Sequence, residues 1–206
     1  MYPTLDVHAD VHAAGERAQV HILGPYDRLG FDLSGTTQSR SLGEFSIPES
    51  ALMARGTLTP TLSLVGTWNG LSLKGLENTL WASGKLGISY RNEPLKTSVD
   101  ALWKPDWSGN ITFGVQNENG NVTGTGPWKD IQVSGNWIPL QATLRGRLDL
   151  TQQTYSATVG APAYRYPFQG TVLGKGTDWN ANLNVSGDEG GSASVSGNLQ
   201  NWKAEL

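Results

Sequence analysis

Three histidines, His8, His12 and His21, open a chain of 206 residues that has no others and no cysteine. Imidazole and carboxylate side chains are the usual carriers of metal and acid–base chemistry, so their placement is the first question. Leu5, Val7, Ala9, Val11 and Ala13 alternate with Asp6, His8, Asp10 and His12, which predicts a half-buried strand. After Ala14-Gly15, Ala18, Val20 and Ile22 alternate with Gln19 and His21. A two-residue loop would place Val7 opposite Ile22, Ala9 opposite Val20 and Val11 opposite Ala18, with every apolar residue on one face. The same register puts His8 opposite His21. His8 and His12 lie four apart on one strand, about 13 Å, too far to chelate together. Only His8 and His21 could share a metal, and zinc normally takes three or four ligands. The expectation is three histidines on a solvated face, with no metal and no cofactor.

Other constellations carry less. Gly170-Thr171-Val172-Leu173-Gly174-Lys175-Gly176-Thr177 lacks the Gly-Lys-Ser/Thr of a phosphate loop, and no helix follows it. Asp188-Glu189 sits among glycines without the ligand spacing of a calcium loop and reads as a hairpin turn. Asn110-Ile111-Thr112, Asn121-Val122-Thr123 and Asn184-Val185-Ser186 match the glycosylation triplet in a chain rich in these residues. Carboxylates are scattered, with no pair placed for glycoside hydrolysis and no Ser-His-Asp grouping. Without cysteine there is no disulfide, thiol catalysis or thiolate metal site. No catalytic residue is expected, and the chain does not read as an enzyme.

What must position these residues is a β-protein. Only 16% of residues are charged and 26 are glycine, so turns are many and charged surfaces few. A net charge of -3, with no Lys/Arg cluster, argues against nucleic acid. No apolar run approaches the length of a membrane helix.

One phrase recurs: glycine, an aromatic beside a small or polar residue, then alternating apolar residues. Gly24-Pro25-Tyr26-Asp27 precedes Leu29, Phe31 and Leu33; Gly66-Thr67-Trp68-Asn69 precedes Leu71 and Leu73. Gly126-Pro127-Trp128-Lys129 precedes Ile131 and Val133; Gly176-Thr177-Asp178-Trp179 precedes Leu183 and Val185. Weaker copies stand at Pro105-Asp106-Trp107, before Ile111, Phe113 and Val115, and at Gly197 to Trp202. The spacing suits a unit of roughly 20 to 25 residues, one two-stranded hairpin. Period-two runs also cover Leu58 to Leu64, Leu80 to Tyr90, Leu95 to Trp103, Leu140 to Leu150 and Tyr164 to Phe168.

The reading is all-β: roughly sixteen to eighteen strands in an antiparallel meander. One exception is expected, a short helix over 48–55, where Pro48-Glu49 leads Ala51-Leu52-Met53-Ala54-Arg55 into Gly56. No composition shift divides residues 1–206, so they read as one repetitive element, an internal segment of something longer. A barrel, a sandwich and a long curled trough would each bury one face. The repeat over the whole length favours the trough.

The phrase Gly-x-Trp/Tyr-Asn/Asp/Lys with alternating apolars and a closing glycine (Gly35, Gly75, Gly135, Gly187) resembles the repetitive β-region of the TamB family, translocation-and-assembly-module proteins of the AsmA-like superfamily. The likeness covers essentially the whole chain. It implies a U-shaped β-sheet, a β-taco, with an apolar concave groove, in the periplasm or cell envelope of Gram-negative-type bacteria. It also implies a membrane-anchored parent that works with an outer-membrane assembly protein. The function implied is a non-enzymatic scaffold for phospholipid transport between membranes or for outer-membrane protein assembly and translocation. Its partners would be phospholipid acyl chains or client strands.

On that reading the groove is lined by Leu29, Phe31, Leu33, Leu62, Leu64, Leu71, Leu73, Ile111, Phe113, Val115, Ile131, Val133, Leu148, Leu150, Leu183 and Val185. Tyr26, Trp68, Trp107, Trp128, Trp179 and Trp202, beside glycines at strand starts, form its rim. The alternative uses the same aromatics, exposed, to stack on sugar rings in a carbohydrate-binding or adhesin-like domain. A piece of an outer-membrane barrel is a third reading, disfavoured because many strands carry only two or three apolar residues.

Overall fold

The first hairpin forms in the register that its apolar pattern predicts. In the computed structural model, β1 (Thr4–Ala13) pairs antiparallel with β2 (Glu16–Pro25), with Val7 opposite Ile22, Ala9 opposite Val20 and His8 opposite His21. Residues 3–13, 16–186, 190–198 and 201–205 are described, without the side chains of 13, 42, 202, 204 and 205. The loop at Ala14-Gly15, the turn at Gly187-Asp188-Glu189 and the Trp202 side chain therefore lie outside the description.

The chain divides into two units, Met1–Asp106 and Trp107–Leu206. The first continues through β3 (Gly30–Thr37), β4 (Arg40–Leu42), β5 (Phe45–Ile47), β6 (Ser50–Thr57), β7 (Ser63–Trp68) and β8 (Leu71–Leu76). It ends with β9 (Thr79–Gly84), β10 (Ser89–Tyr90), β11 (Glu93–Pro94) and β12 (Lys96–Trp103). Antiparallel pairings link β1, β2, β3, β6, β7, β8, β9 and β12 in that order. The short strands β4, β5, β10 and β11 make a separate four-stranded sheet, where Glu44 accepts a 2.8 Å bond from Arg91 Nε.

The second unit is a plain meander: β13 (Asn110–Asn117), β14 (Gly120–Pro127), β15 (Ile131–Trp137), β16 (Ala142–Asp149) and β17 (Thr154–Ala161) come first. They are followed by β18 (Phe168–Lys175), β19 (Asp178–Val185), β20 (Gly191–Gly197) and β21 (Trp202–Glu205). Each strand pairs with the next. A single 3-10 turn, Ile138–Leu140, links β15 to β16. The protein is nearly all β, and its antiparallel sheet is not closed into a barrel.

The helix expected over 48–55 is a strand. β6 runs Ser50–Thr57 and alternates in burial, with Leu52, Ala54 and Gly56 half-buried and Ala51, Met53 and Arg55 exposed. The helix propensity of Ala51, Leu52, Met53, Ala54 and Arg55 is a weak preference that tertiary context overrides. Two ladders outweigh it, to β3 along the whole strand and to β7 over Leu52–Thr57. Several strand limits also differ from the period-two runs, β16 (Ala142–Asp149) being shorter than Leu140 to Leu150. Residues 58–62 form bends ahead of β7, β9 stops at Gly84, and 162–166 are turn.

The recurring phrase is more than one local structure. Gly24-Pro25-Tyr26 and Gly126-Pro127-Trp128 are the same turn: φ is 127° at Gly24 and 140° at Gly126. In both, the residue three after the proline donates to the proline carbonyl, Arg28 at 2.8 Å and Asp130 at 2.9 Å. Gly66-Thr67-Trp68, by contrast, runs straight into a two-residue hairpin turn at Asn69 and Gly70, both at positive φ.

Candidate functional site: a ruled apolar face

Directly opposed residues in an antiparallel sheet project to the same side, so the registers sort every strand residue onto one face or the other. In the first unit one file reads Val7, Ile22, Phe31, Gly56, Leu64, Gly75, Leu80 and Trp103. The next reads Ala9, Val20, Leu33, Ala54, Gly66, Leu73, Ala82 and Ala101. In the second unit, Phe113, Gly124, Val133, Gly146, Ala157, Val172, Ala181, Val195 and Ala204 stand in register. None of these positions is polar. The opposite face of the second unit is mostly polar: Thr112, Thr125, Gln132 and Arg147 stand in one file and Thr123, Ser134 and Arg145 in another, with Leu173 an exposed exception.

Glycine on this face leaves room for a neighbouring side chain at some positions and for a cross-strand carbonyl at others, such as Gly66, Gly135 and Gly146. A Cβ on Gly124 would come within 2.3 Å of the Phe113 ring, and one on Gly174 within 2.0 Å of the Tyr155 ring. Phe31 and Leu64 come within 3.0 Å of a Cβ built on Gly56 and Gly75, although at Gly56 the Ser63 carbonyl lies closer still. Large side chains thus lie down on the backbone across the strand pair and leave a low apolar surface.

That surface has little above it. Among the described residues only Leu71, Ala101, Ile131, Ala142 and Ala161 are buried apolar residues, and Ile131 is the one large side chain with no exposure. The accessible surface is 14083 Å². Two separate compact bodies of half this mass would together show only about 11,300 Å². Among its described residues, the second unit has nothing beyond nine strands and the 3-10 turn to lay over the face.

Of the residues assigned to the groove, Phe31, Leu33, Leu64, Leu71 and Leu73 share the apolar face of the first unit. Ile111, Phe113, Val115, Ile131, Val133, Leu148, Leu183 and Val185 share that of the second. Leu29, Leu62 and Leu150 lie in connecting segments, and Leu62 is 47% exposed. Period-two reading through the loops had joined them to the strands. Leu52, Val20, Ile22, Leu144, Tyr155 and Val159 belong to the face and were not singled out; cross-strand register is the signal that finds them.

The rim aromatics do not form one platform. Tyr26 is exposed in its turn, and Trp68 donates its indole N–H to Thr37 Oγ1 at 3.1 Å. Trp107 and Trp128 meet edge-on, 6.0 Å apart at 77°. Trp179 is half-buried opposite Gly174 and Gly197.

The other face of the first unit was expected to be plainly polar, and it is not. Leu23, Met53, Val65, Leu76 and Trp81 are exposed on it. It also carries a depression of about 690 Å³, lined by His8, Asp10, Gln19, His21, Asp32 and Arg55 among others. His8 stacks on His21, ring centroids 3.9 Å apart at 13°. Asp6 Oδ1 lies 2.9 Å from His21 Nε2 and 3.4 Å from His8 Nε2.

Arg91 and then Tyr90 hydrogen-bond the Glu44 carboxyl and hold its pKa below the ordinary value. Thr151 and the Gln152 N–H do the same for Asp149. Glu44 sits in a turn of the small sheet, and Asp149 ends β16 on the polar side. No protein-family model, curated protein or solved structure matches the chain.

Proposed function

We propose that this chain is a non-enzymatic scaffold segment of the TamB type, working in the bacterial envelope and holding phospholipid acyl chains on its apolar face. One observation carries the reading: files of apolar residues and glycine cross each strand of the main sheet in each unit, on one face. A sheet with one apolar face must cover it or offer it. An acyl chain is the simplest cover, gaining roughly 0.8 kcal/mol for each methylene removed from water. The glycine-levelled files are apolar, and the Tyr155 hydroxyl among them already donates to the Asp178 carbonyl at 3.3 Å, so the surface suits alkyl chains better than a directional ligand. Support for outer-membrane protein assembly is the related use, with an amphipathic client strand in place of lipid. A periplasmic location follows from this reading. Among the described residues no helix is long and apolar enough to cross a membrane.

The carbohydrate alternative needs a row of exposed, coplanar aromatic faces. The perpendicular Trp107–Trp128 pair and the hydrogen-bonded Trp68 favour the scaffold instead. Native mass spectrometry of the purified chain tests the proposal. Copurified phospholipid, displaced by detergent, is expected. A lipid-free chain that also fails to take up a fluorescent fatty acid would overturn it.

A further inference from the structure

The polar face of the first hairpin gathers two imidazoles and a carboxylate. Asp6, His8 and His21 place one ligand atom each, all within 4.8 Å of one another. Alternation turns Asp6 and His8 to the same side of β1, and the register sets His21 directly opposite His8. The third donor comes from a diagonal position, two residues along the strand from His8.

We propose that Asp6, His8 and His21 bind a divalent transition metal ion, Zn²⁺ by preference. Two imidazole nitrogens with one carboxylate oxygen suit borderline ions and give the three protein ligands of an open zinc site. Zinc–ligand bonds of about 2.0–2.2 Å in a tetrahedron separate the donor atoms by about 3.4 Å. The two measured separations from Asp6 Oδ1, 2.9 and 3.4 Å, lie close to that value. Both Nε2 atoms approach the same oxygen, so one cation can take the place of the His21–Asp6 hydrogen bond and the longer His8 contact.

The surroundings favour a cation. His8 and His21 line the polar-face depression together with Asp10 and Asp32. Asp32 stands opposite His21 on β3 and separates it from Arg55 on β6. Gln19 Nε2 holds Asp10 Oδ1 at 3.2 Å, within the same wall. His12, the third histidine of the chain, lies outside the cluster and serves as an internal control.

Isothermal titration of the full chain with ZnCl2, with circular dichroism on every variant, tests the site. One-to-one saturable binding is expected. Asp6→Asn, His8→Gln and His21→Gln should each weaken it on the order of tenfold or more, since even outer-shell partners of a metal are worth that much. His12→Gln should leave it unchanged. On the unaltered chain, Zn²⁺ should shift the ring resonances of His8 and His21 and spare those of His12, a reading that needs no variant to fold. No saturable binding, an equal effect of His12→Gln, or shifts shared evenly by all three rings would overturn the proposal.

Discussion

Phe113 lies across Gly124 of the next strand so closely that a Cβ at 124 would sit 2.3 Å from its ring. The pair shows how this sheet is built. A large side chain on one strand covers bare backbone on the next, and the arrangement returns at Tyr155 and Gly174 and at Phe31 and Gly56. Apolar contact is thus made between neighbouring strands of one sheet.

Gly124→Ala should therefore destabilise by roughly 1–3 kcal/mol, as overpacking does. In the double variant with Phe113→Ala, most of that loss should vanish, because the methyl group then meets no ring. Urea unfolding of the four members of the cycle measures the coupling. An additive pair would mean that the ring moves aside without cost.

Charge separates the two faces. Phe113→Asp and Val133→Asp, in register on the apolar side, should abolish lipid uptake. Thr112→Asp and Gln132→Asp, on the opposite side, should be nearly silent, within about 0.5 kcal/mol in stability. Lipid counted by mass spectrometry, with circular dichroism as the folding control, gives the answer. Equal loss in both pairs would leave the apolar face without its proposed role.

The paired turns predict a matched response. Gly24 and Gly126 hold φ near 127° and 140°, and a Cβ on either would lie 2.5 Å from a backbone carbonyl oxygen. Alanine at each should cost roughly 1–3 kcal/mol. Gly191→Ala, where a Cβ would meet nothing within 4 Å, should be close to neutral. Thermal unfolding of the three variants checks the ranking.

Asp149 gives a pH signature. Its carboxyl accepts bonds from Thr151 Oγ1 at 2.6 Å, the Thr151 N–H at 2.8 Å and the Gln152 N–H at 3.0 Å. These bonds hold its folded pKa below the ordinary 3.8. Its stabilising effect is then complete above the unfolded value and fades as pH falls through the folded one. Stability of the wild type should drop from about pH 4 downward more steeply than that of Asp149→Asn. Denaturation midpoints across that range, with an NMR titration of the carboxyl, check the sign.

Much of the sheet was legible in the order of residues. Strand alternation needs only local chemistry, since successive side chains point to opposite faces. The β1–β2 register followed because a slip by one residue would have turned Val7, Ala9 and Val11 into water. The apolar face of β13 and β15 was readable for the same reason, from Ile111 and Phe113 and from Ile131 and Val133.

What lay between strands was not. Ala51-Leu52-Met53-Ala54 leans locally toward helix, and only its two neighbouring strands make it a strand. Leu29, Leu62 and Leu150 looked like their strand neighbours because composition does not mark where a ladder stops. The glycines read as turn residues until register placed Gly124 under Phe113 and Gly174 under Tyr155. The Asp6 carboxylate joined His8 and His21 only in three dimensions, since reach across a twisted pair depends on side-chain direction as well as on register. Alternation, a property of each strand alone, was determined by the sequence; which side chains meet across strands was decided by the tertiary structure, because those contacts belong to pairs that the linear order does not join.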